Sequence, residues 1–280
     1  MKLVNGYDLM KYAQARHLVL PAFNTTNMEM TFAIAKGLDD AKLPGYIQIS
    51  SNNLRLSDPE AIAFLAKKAA AKYDTPIGLH LDHGKSYEDV KACVDAGFTS
   101  IMIDASHLPF EENIAAVKQA VEYCHFYGIP VEAELGAIGG KEDDIVNEAD
   151  CKTNPDMVLD FVKKTQCDTL AVAVGNVHGL EAKPNIDLPL LEKLSEISPV
   201  PLVLHGGSGI SFDVIRQAVK FNLIKINYGA DLRRAFVTTF GKAYEKNNME
   251  TNVIELSLNG VKNVAAVAEN LVKTINGIPA

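Results

Sequence analysis

Short apolar runs alternate with longer amphipathic stretches along this chain. The runs are LVLPAFN (18–24), YIQIS (46–50), IGLHLD (77–82), SIMID (100–104), VEAELG (131–136), TLAVAVGN (169–176), PLVLHG (201–206) and LIKIN (223–227). Several are apolar on both faces, the pattern of parallel strands covered on both sides. Between them the periodicity becomes helical: Met28 to Ala41, a segment opened by Asp58-Pro59, SYEDVKACVDAG, ENIAAVKQAVEYCHFYG, PDMVLDFVKKT, LPLLEKLSEIS, DVIRQAVKFN and ADLRRAFVTTFGKAYEK. Asp before Pro suits a helix start, and Gly97 suits a helix end.

Eight strand–helix units with right-handed crossovers close most naturally as an α/β (β/α)8 TIM barrel. An open doubly wound sheet would gather its polar strand ends at one switch point. Here nearly every strand end carries a polar group, which favours the barrel. The chain reads as a single domain over 1–280. A C-terminal helical extension from about 247 packs against the barrel or a neighbouring subunit. Gly136 to Asn154 reads as one long loop rich in glycine and acid, of a length usually tied to function.

Composition narrows the function. The 280 residues are 48% hydrophobic, enough for a large core, and the net charge of −8 argues against a nucleic-acid partner. No apolar run approaches the roughly 18 residues of a membrane span, and the N-terminus lacks the apolar core of a signal peptide. Cys93, Cys124, Cys151 and Cys167 are widely spaced with no CxxC pair, which reads as reduced thiols in a cytoplasmic protein.

Candidate chemistry collects at the strand ends. His83, His178 and His205 each follow an apolar run and each precede a glycine. Three imidazoles with an open fourth position describe a catalytic zinc site. Asp82, Asp104 and Glu134 occupy equivalent places, which makes three unrelated packing histidines a poor account. His80, on the face of Asp82, reads as packed beneath the site; His17, His107 and His125 read as structural or exposed. HGGSG (205–209) offers backbone N–H groups suited to an anion. Lys225 allows a Schiff-base enzyme as a rival, although an anion contact or a supporting role suits it better.

PAFN (21–24), HLDHG (80–84), MIDASHLPFEENI (102–114), VEAELGAIGGKEDD (131–144), GNVHG (175–179), HGGSG and KIN (225–227), in this order, resemble the class II zinc-dependent ketose-bisphosphate aldolases. The resemblance covers about residues 1–245. It implies reversible retro-aldol cleavage of a fructose- or tagatose-1,6-bisphosphate type of ketose to dihydroxyacetone phosphate and an aldehyde. By the family pattern, His83, His178 and His205 match the ligands of Zn2+, and a monovalent cation is an allowed companion. Asp82 matches the group that moves a proton at the C4 oxygen, and Glu142 the mobile-loop glutamate that moves one at C3. Asp104 and Glu134 match carboxylates that hold a second or displaced metal. Asn24, Ser50 and Asn227 match substrate contacts; Gly179, Gly207 and Ser208 match the phosphate site of the dihydroxyacetone-phosphate half. The family also implies a homodimer or homotetramer.

Three departures bear on the substrate, one of them Glu181 in place of a tyrosine frequent in the family. Ala230 stands where the family has a phosphate-binding threonine, and Val253 lies near the place of a phosphate-binding arginine. The alternatives are therefore the same aldolase chemistry on a ketose with one or no phosphate, or with a carboxylate or sulfonate end. Lys183, Arg55, Arg233 and Arg234 are candidates to compensate. A non-catalytic zinc or sugar-phosphate binding protein is the rival from another class.

Overall fold

The computed structural model describes residues 3–142, 145–147, 151–181, 183–249 and 251–279, with the backbone alone at 55, 141–142 and 145–147. Eight parallel strands close into a barrel: β1 (Leu20–Asn24), β2 (Gly45–Ser50), β3 (Ile77–Gly84), β4 (Ser100–Ile103), β5 (Val131–Leu135), β8 (Thr169–Val172), β9 (Leu202–Leu204) and β10 (Leu223–Tyr228). The order β1-β10-β9-β8-β5-β4-β3-β2 follows the chain, and the β1–β10 pairing closes the ring. The (β/α)8 expectation is met.

Local chemistry sets the helix boundaries. The side chains of Asn27, Asp58, Ser86, Asp187 and Ser211 each accept a backbone N–H from the first turn of α2 (Met28–Ala41), α3 (Pro59–Ala70), α4 (Tyr87–Ala96), α7 (Leu188–Ile197) and α8 (Phe212–Ala218). Each such cap is worth about 1 kcal/mol. Gly97 ends α4 at φ 92°, the left-handed conformation that glycine adopts without steric cost. Helices α5 (Phe110–Phe126), α6 (Pro155–Thr165) and α9 (Ala230–Lys246) complete the outer ring.

Two apolar clusters hold the fold. The larger lies between strands and helices, with Phe23, Ile34, Ile62, Leu79, Val117, Phe161 and Leu204 buried in it. The smaller fills the barrel floor with Leu20, Ala22, Tyr46, Met102, Ala171 and Val203, stoppered by Leu9 and Ala13 of α1 (Gly6–Gln14). At Gly6 a Cβ would stand 2.5 Å from Pro130 Cγ, so glycine is what lets the stopper seat. The C-terminal extension is one long helix, α10 (Val253–Ile275), packed on α2 and α9. Asn276 pins its end by donating to Val19 O and accepting from Val19 N.

One segment differs from the reading above. Within the presumed loop 136–154, β6 (Gly140–Glu142) and β7 (Ile145–Asn147) pair as an antiparallel hairpin. Three-residue strands lie below the length at which alternation is detectable in sequence. Cys93, Cys124 and Cys167 are buried, Cys151 is exposed, and all four are free thiols. Among the described residues no helix is long and apolar enough to cross a membrane.

Candidate active site

The site occupies the carboxyl ends of the strands. Strict alternation would send Asp82 and His83 to opposite faces of β3. His83 instead adopts φ 46°, and the β3–β4 register shifts between Leu81 and Gly84. A bulge with a left-handed residue re-aims a side chain in this way, at a cost of roughly 1–3 kcal/mol in strain. Both groups consequently face the mouth.

His205 follows β9 directly, whereas His178 lies six residues beyond the end of β8, on a loop. That loop is braced by the glycine pair of GGKEDD: His178 N donates to Gly139 O at 3.0 Å. A Cβ on Gly140 would stand 2.5 Å from the His178 carbonyl oxygen, so only glycine lets the two backbones approach.

The three imidazoles converge. Ring centroids lie 4.7 Å apart for His83–His205, 5.3 Å for His83–His178 and 6.0 Å for His178–His205, and one nitrogen from each falls within 4.8 Å of the others. The outer nitrogens of two of the rings are engaged. His83 Nδ1 lies 2.7 Å from Asp104 Oδ2, and His205 Nε2 lies 2.9 Å from Glu132 Oε1. Such carboxylate partners fix the tautomer of a metal-binding imidazole. They leave Nε2 of His83 and Nδ1 of His205 directed at the common centre. Burial foremost, then the charges of His83 and Lys225, pulls the His205 pKa well below its usual value and keeps the ring neutral, the form that binds metal. Burial opposes the charge of Asp104. The His83 contact and the Ser106 amide outweigh it and hold that carboxyl well below the ordinary range.

Asp82 is fully buried beside this centre, Oδ1 lying 3.9 Å from His83 Nε2. Three amides cradle it: Asn227 Nδ2 donates to Oδ1 at 2.9 Å, while Asn24 Nδ2 and Gln48 Nε2 donate to Oδ2 at 2.8 and 3.1 Å. Ser50 pairs with Asp82 across the β2–β3 ladder. Glu134 Oε2 lies 3.5 Å from His205 Nδ1, and His83, Asp104 and Glu134 form a second grouping able to hold a metal. His80 is packed beneath, hydrogen-bonded to Ser100 Oγ.

On the other side of the mouth, Asn24, His178, Gly179, Gly206, Ser208, Asn227, Gly229, Ala230 and Arg233 line a small cleft. Gly207 faces away from it, its N–H donating to Asn227 O. Glu142 ends β6, and its side chain lies outside the described residues, as does that of Arg55.

The family model described as fructose-bisphosphate aldolase class-II matches residues 4–277. The chain belongs to the class-II fructose-bisphosphate aldolase family. It is 39% identical to a fructose-bisphosphate aldolase of Geobacillus stearothermophilus over 240 residues, 84% of each chain. The YdjI aldolase of Escherichia coli K12 superposes with a TM-score of 0.85 at 32% identity, covering 98% of this chain and 97% of that one. A fructose-bisphosphate aldolase of Campylobacter jejuni, at 21% identity and TM-score 0.83 over 99% and 96% of the two chains, shares the fold. This aldolase is thus a carbon–carbon lyase of a family that works on ketose bisphosphates with a divalent metal, and its imidazole cluster has the donor chemistry for one.

Two site residues of this aldolase, Glu132 and Gln48, escaped the sequence reading. Glu132 lies two positions before Glu134 on the inward face of β5, so period-2 alternation would have found it. Gln48 stands likewise two before Ser50. Lys225, read above as an anion contact or a supporting residue, takes the supporting role: its Nζ lies 3.1 Å from Glu132 Oε2 and donates to Asn227 Oδ1 at 2.6 Å. It joins the support of His205 to the cradle of Asp82. Val253 is the first residue of α10, 63% exposed.

Proposed function

We propose that this aldolase reversibly cleaves the C3–C4 bond of a ketose phosphate of the fructose- or tagatose-1,6-bisphosphate type, giving dihydroxyacetone phosphate and an aldehyde. In this reading His83, His178 and His205 hold Zn2+. The observation that carries it is the convergence of three oriented imidazoles beside a carboxylate cradled by three amides. The bound metal supplies Lewis-acid stabilisation of negative charge on the ketose oxygens.

The chain's own groups divide the proton work. Asp82 takes the proton of the C4 hydroxyl, the C3–C4 electron pair stays with the C3 fragment, and the aldehyde departs. Glu142, carried on the hairpin tip, returns a proton to C3, releasing the ketone product. Asn24, Gln48 and Asn227 hold the Asp82 carboxylate in one orientation, which keeps its oxygen aligned for transfer. Ser50, Gly179 and Ser208 shape the substrate and phosphate surfaces, while Gly207, expected there, backs the loop through its bond to Asn227 O. Asp104 serves His83 as an orienting partner and, with Glu134, holds a displaced or second metal.

A second reading is favoured by two residues. Ala230 lines the cleft with a methyl group, and Val253 carries no charge. These support a ketose with one phosphate, none, or another anionic end. Ranking kcat/KM across bisphosphate, monophosphate and unphosphorylated ketoses decides between them. Bisphosphates ranked clearly first establish the primary reading, monophosphates or unphosphorylated ketoses first the second, and cleavage of none defeats both. We further infer a cytoplasmic homo-oligomer. Val237, Tyr244, Ile254 and Leu258, exposed on α9 and α10, support the oligomer.

A further inference from the structure

Lys225 is the only basic residue of β10, and it is buried inside the barrel. A charge so placed is costly unless it is both paired and hydrogen-bonded. Two residues meet these conditions. Nζ lies 3.1 Å from Glu132 Oε2 and donates to Asn227 Oδ1 at 2.6 Å. An ammonium engaged in this way has no free electron pair, which removes the Schiff-base chemistry that a lysine on the last strand suggests.

Each partner leads to a different half of the site. Glu132 Oε1 lies 2.9 Å from His205 Nε2. A carboxylate only accepts, so that nitrogen carries the proton and Nδ1 keeps its electron pair for a metal. On the other arm, Asn227 Nδ2 donates to Asp82 Oδ1 at 2.9 Å. An amide has one donor end and one acceptor end. Lysine only donates and a carboxylate only accepts, so between Lys225 and Asp82 the Asn227 amide has a single orientation. Asn24 is held by a weaker device. Its Oδ1 accepts from the neutral amide of Gln48 at 2.8 Å, while its Nδ2 donates to Asp82 Oδ2 at 2.8 Å.

We propose that Lys225 is a positioning residue that ties the metal ligand His205 to the base Asp82, fixing the tautomer of one and the orientation of the other from a single ammonium. It acts through Glu132 and Asn227, not on the substrate. The inference rests on the aldolase reading for the role of Asp82; its metal-binding arm does not.

The test compares Lys225→Met with Lys225→Gln, measuring zinc affinity by chelator competition and ketose phosphate cleavage at saturating zinc. Lys225→Met should weaken zinc binding about 10-fold and lower kcat by about 10- to 100-fold, with KM within about threefold. Lys225→Gln keeps an N–H donor for Asn227 but no charge for Glu132. It should recover most of kcat while zinc affinity stays low. Adding Lys225→Met to Asn227→Ala should cost less than about twofold further in kcat, because both break the same link. Where Lys225→Met folds poorly, Lys225→Met combined with Glu132→Gln removes both buried charges, restores Tm and should still show the loss of kcat. A fall in Tm with kcat and zinc affinity within about twofold of wild type would make Lys225 purely structural and overturn the inference. Loss of only one of the two quantities in Lys225→Met, or additive losses with Asn227→Ala, would overturn the link between the centres and leave the aldolase reading standing. A wild-type protein that cleaves no ketose phosphate would sink the aldolase reading, and the zinc affinities would then decide the inference alone.

Discussion

The floor and the mouth of the barrel are built from the same strands and differ by a few residues of rise. On β1 the inward positions run Leu20, Ala22, Asn24; on β2, Tyr46, Gln48, Ser50; on β4, Ser100, Met102, then Asp104 just beyond the strand. The floor is apolar and closed by α1. One layer higher the buried ion pair of Glu132 and Lys225 lies beside a His80 ring kept neutral by burial, and above it stand the imidazoles and Asp82. The floor is replaceable packing. The mouth is a set of polar groups, each held by another, where loss of one partner strands a buried charge.

The largest effects should come from the mouth. Asp82→Ala and Glu142→Ala should each lower turnover by about 10²–10⁴-fold, the range of a general acid–base group, with metal content retained. Metal analysis and steady-state kinetics on the same preparations check this. Near-normal turnover in either variant would remove that residue from the proton path.

An intermediate effect is expected one layer down. Glu132→Gln keeps the shape but weakens the hold on His205 Nε2, so metal affinity should fall by about 10–100-fold. Competition with a chelator of known affinity measures it. If affinity is unchanged, the ion pair beneath the site does not orient the ligand.

The smallest effect on activity belongs to the floor. Leu9→Ala removes a fully buried stopper and should cost about 2–5 kcal/mol of stability. Activity of the folded fraction should stay within about twofold, because the proposed catalytic groups lie at the other end of the barrel. Denaturant unfolding alongside kcat separates the two quantities. A large loss of kcat in fully folded protein would show that floor and mouth are coupled.

How much of this was legible in the sequence follows the same division. Strand–helix alternation predicted the barrel because parallel strands and their covering helices impose distinct periods. The glycine following each of His83, His178 and His205 marked the mouth. Alternation alone could not place Asp82 and His83 together, since that depends on the register shift after Leu81 and the left-handed His83. Glu132 and Gln48 were readable as inward residues but lay below the strand ends to which chemistry was assigned. The pairing of 140–142 with 145–147 was hidden by its short strands.

The central claim is that the three imidazoles at the mouth hold the metal on which cleavage depends. Elemental analysis paired with activity on a ketose phosphate, before and after chelation, tests it most directly. The account predicts about one zinc per chain, activity lost with the metal, and recovery on adding Zn2+ or Co2+. Full activity in protein verified to be metal-free would contradict it.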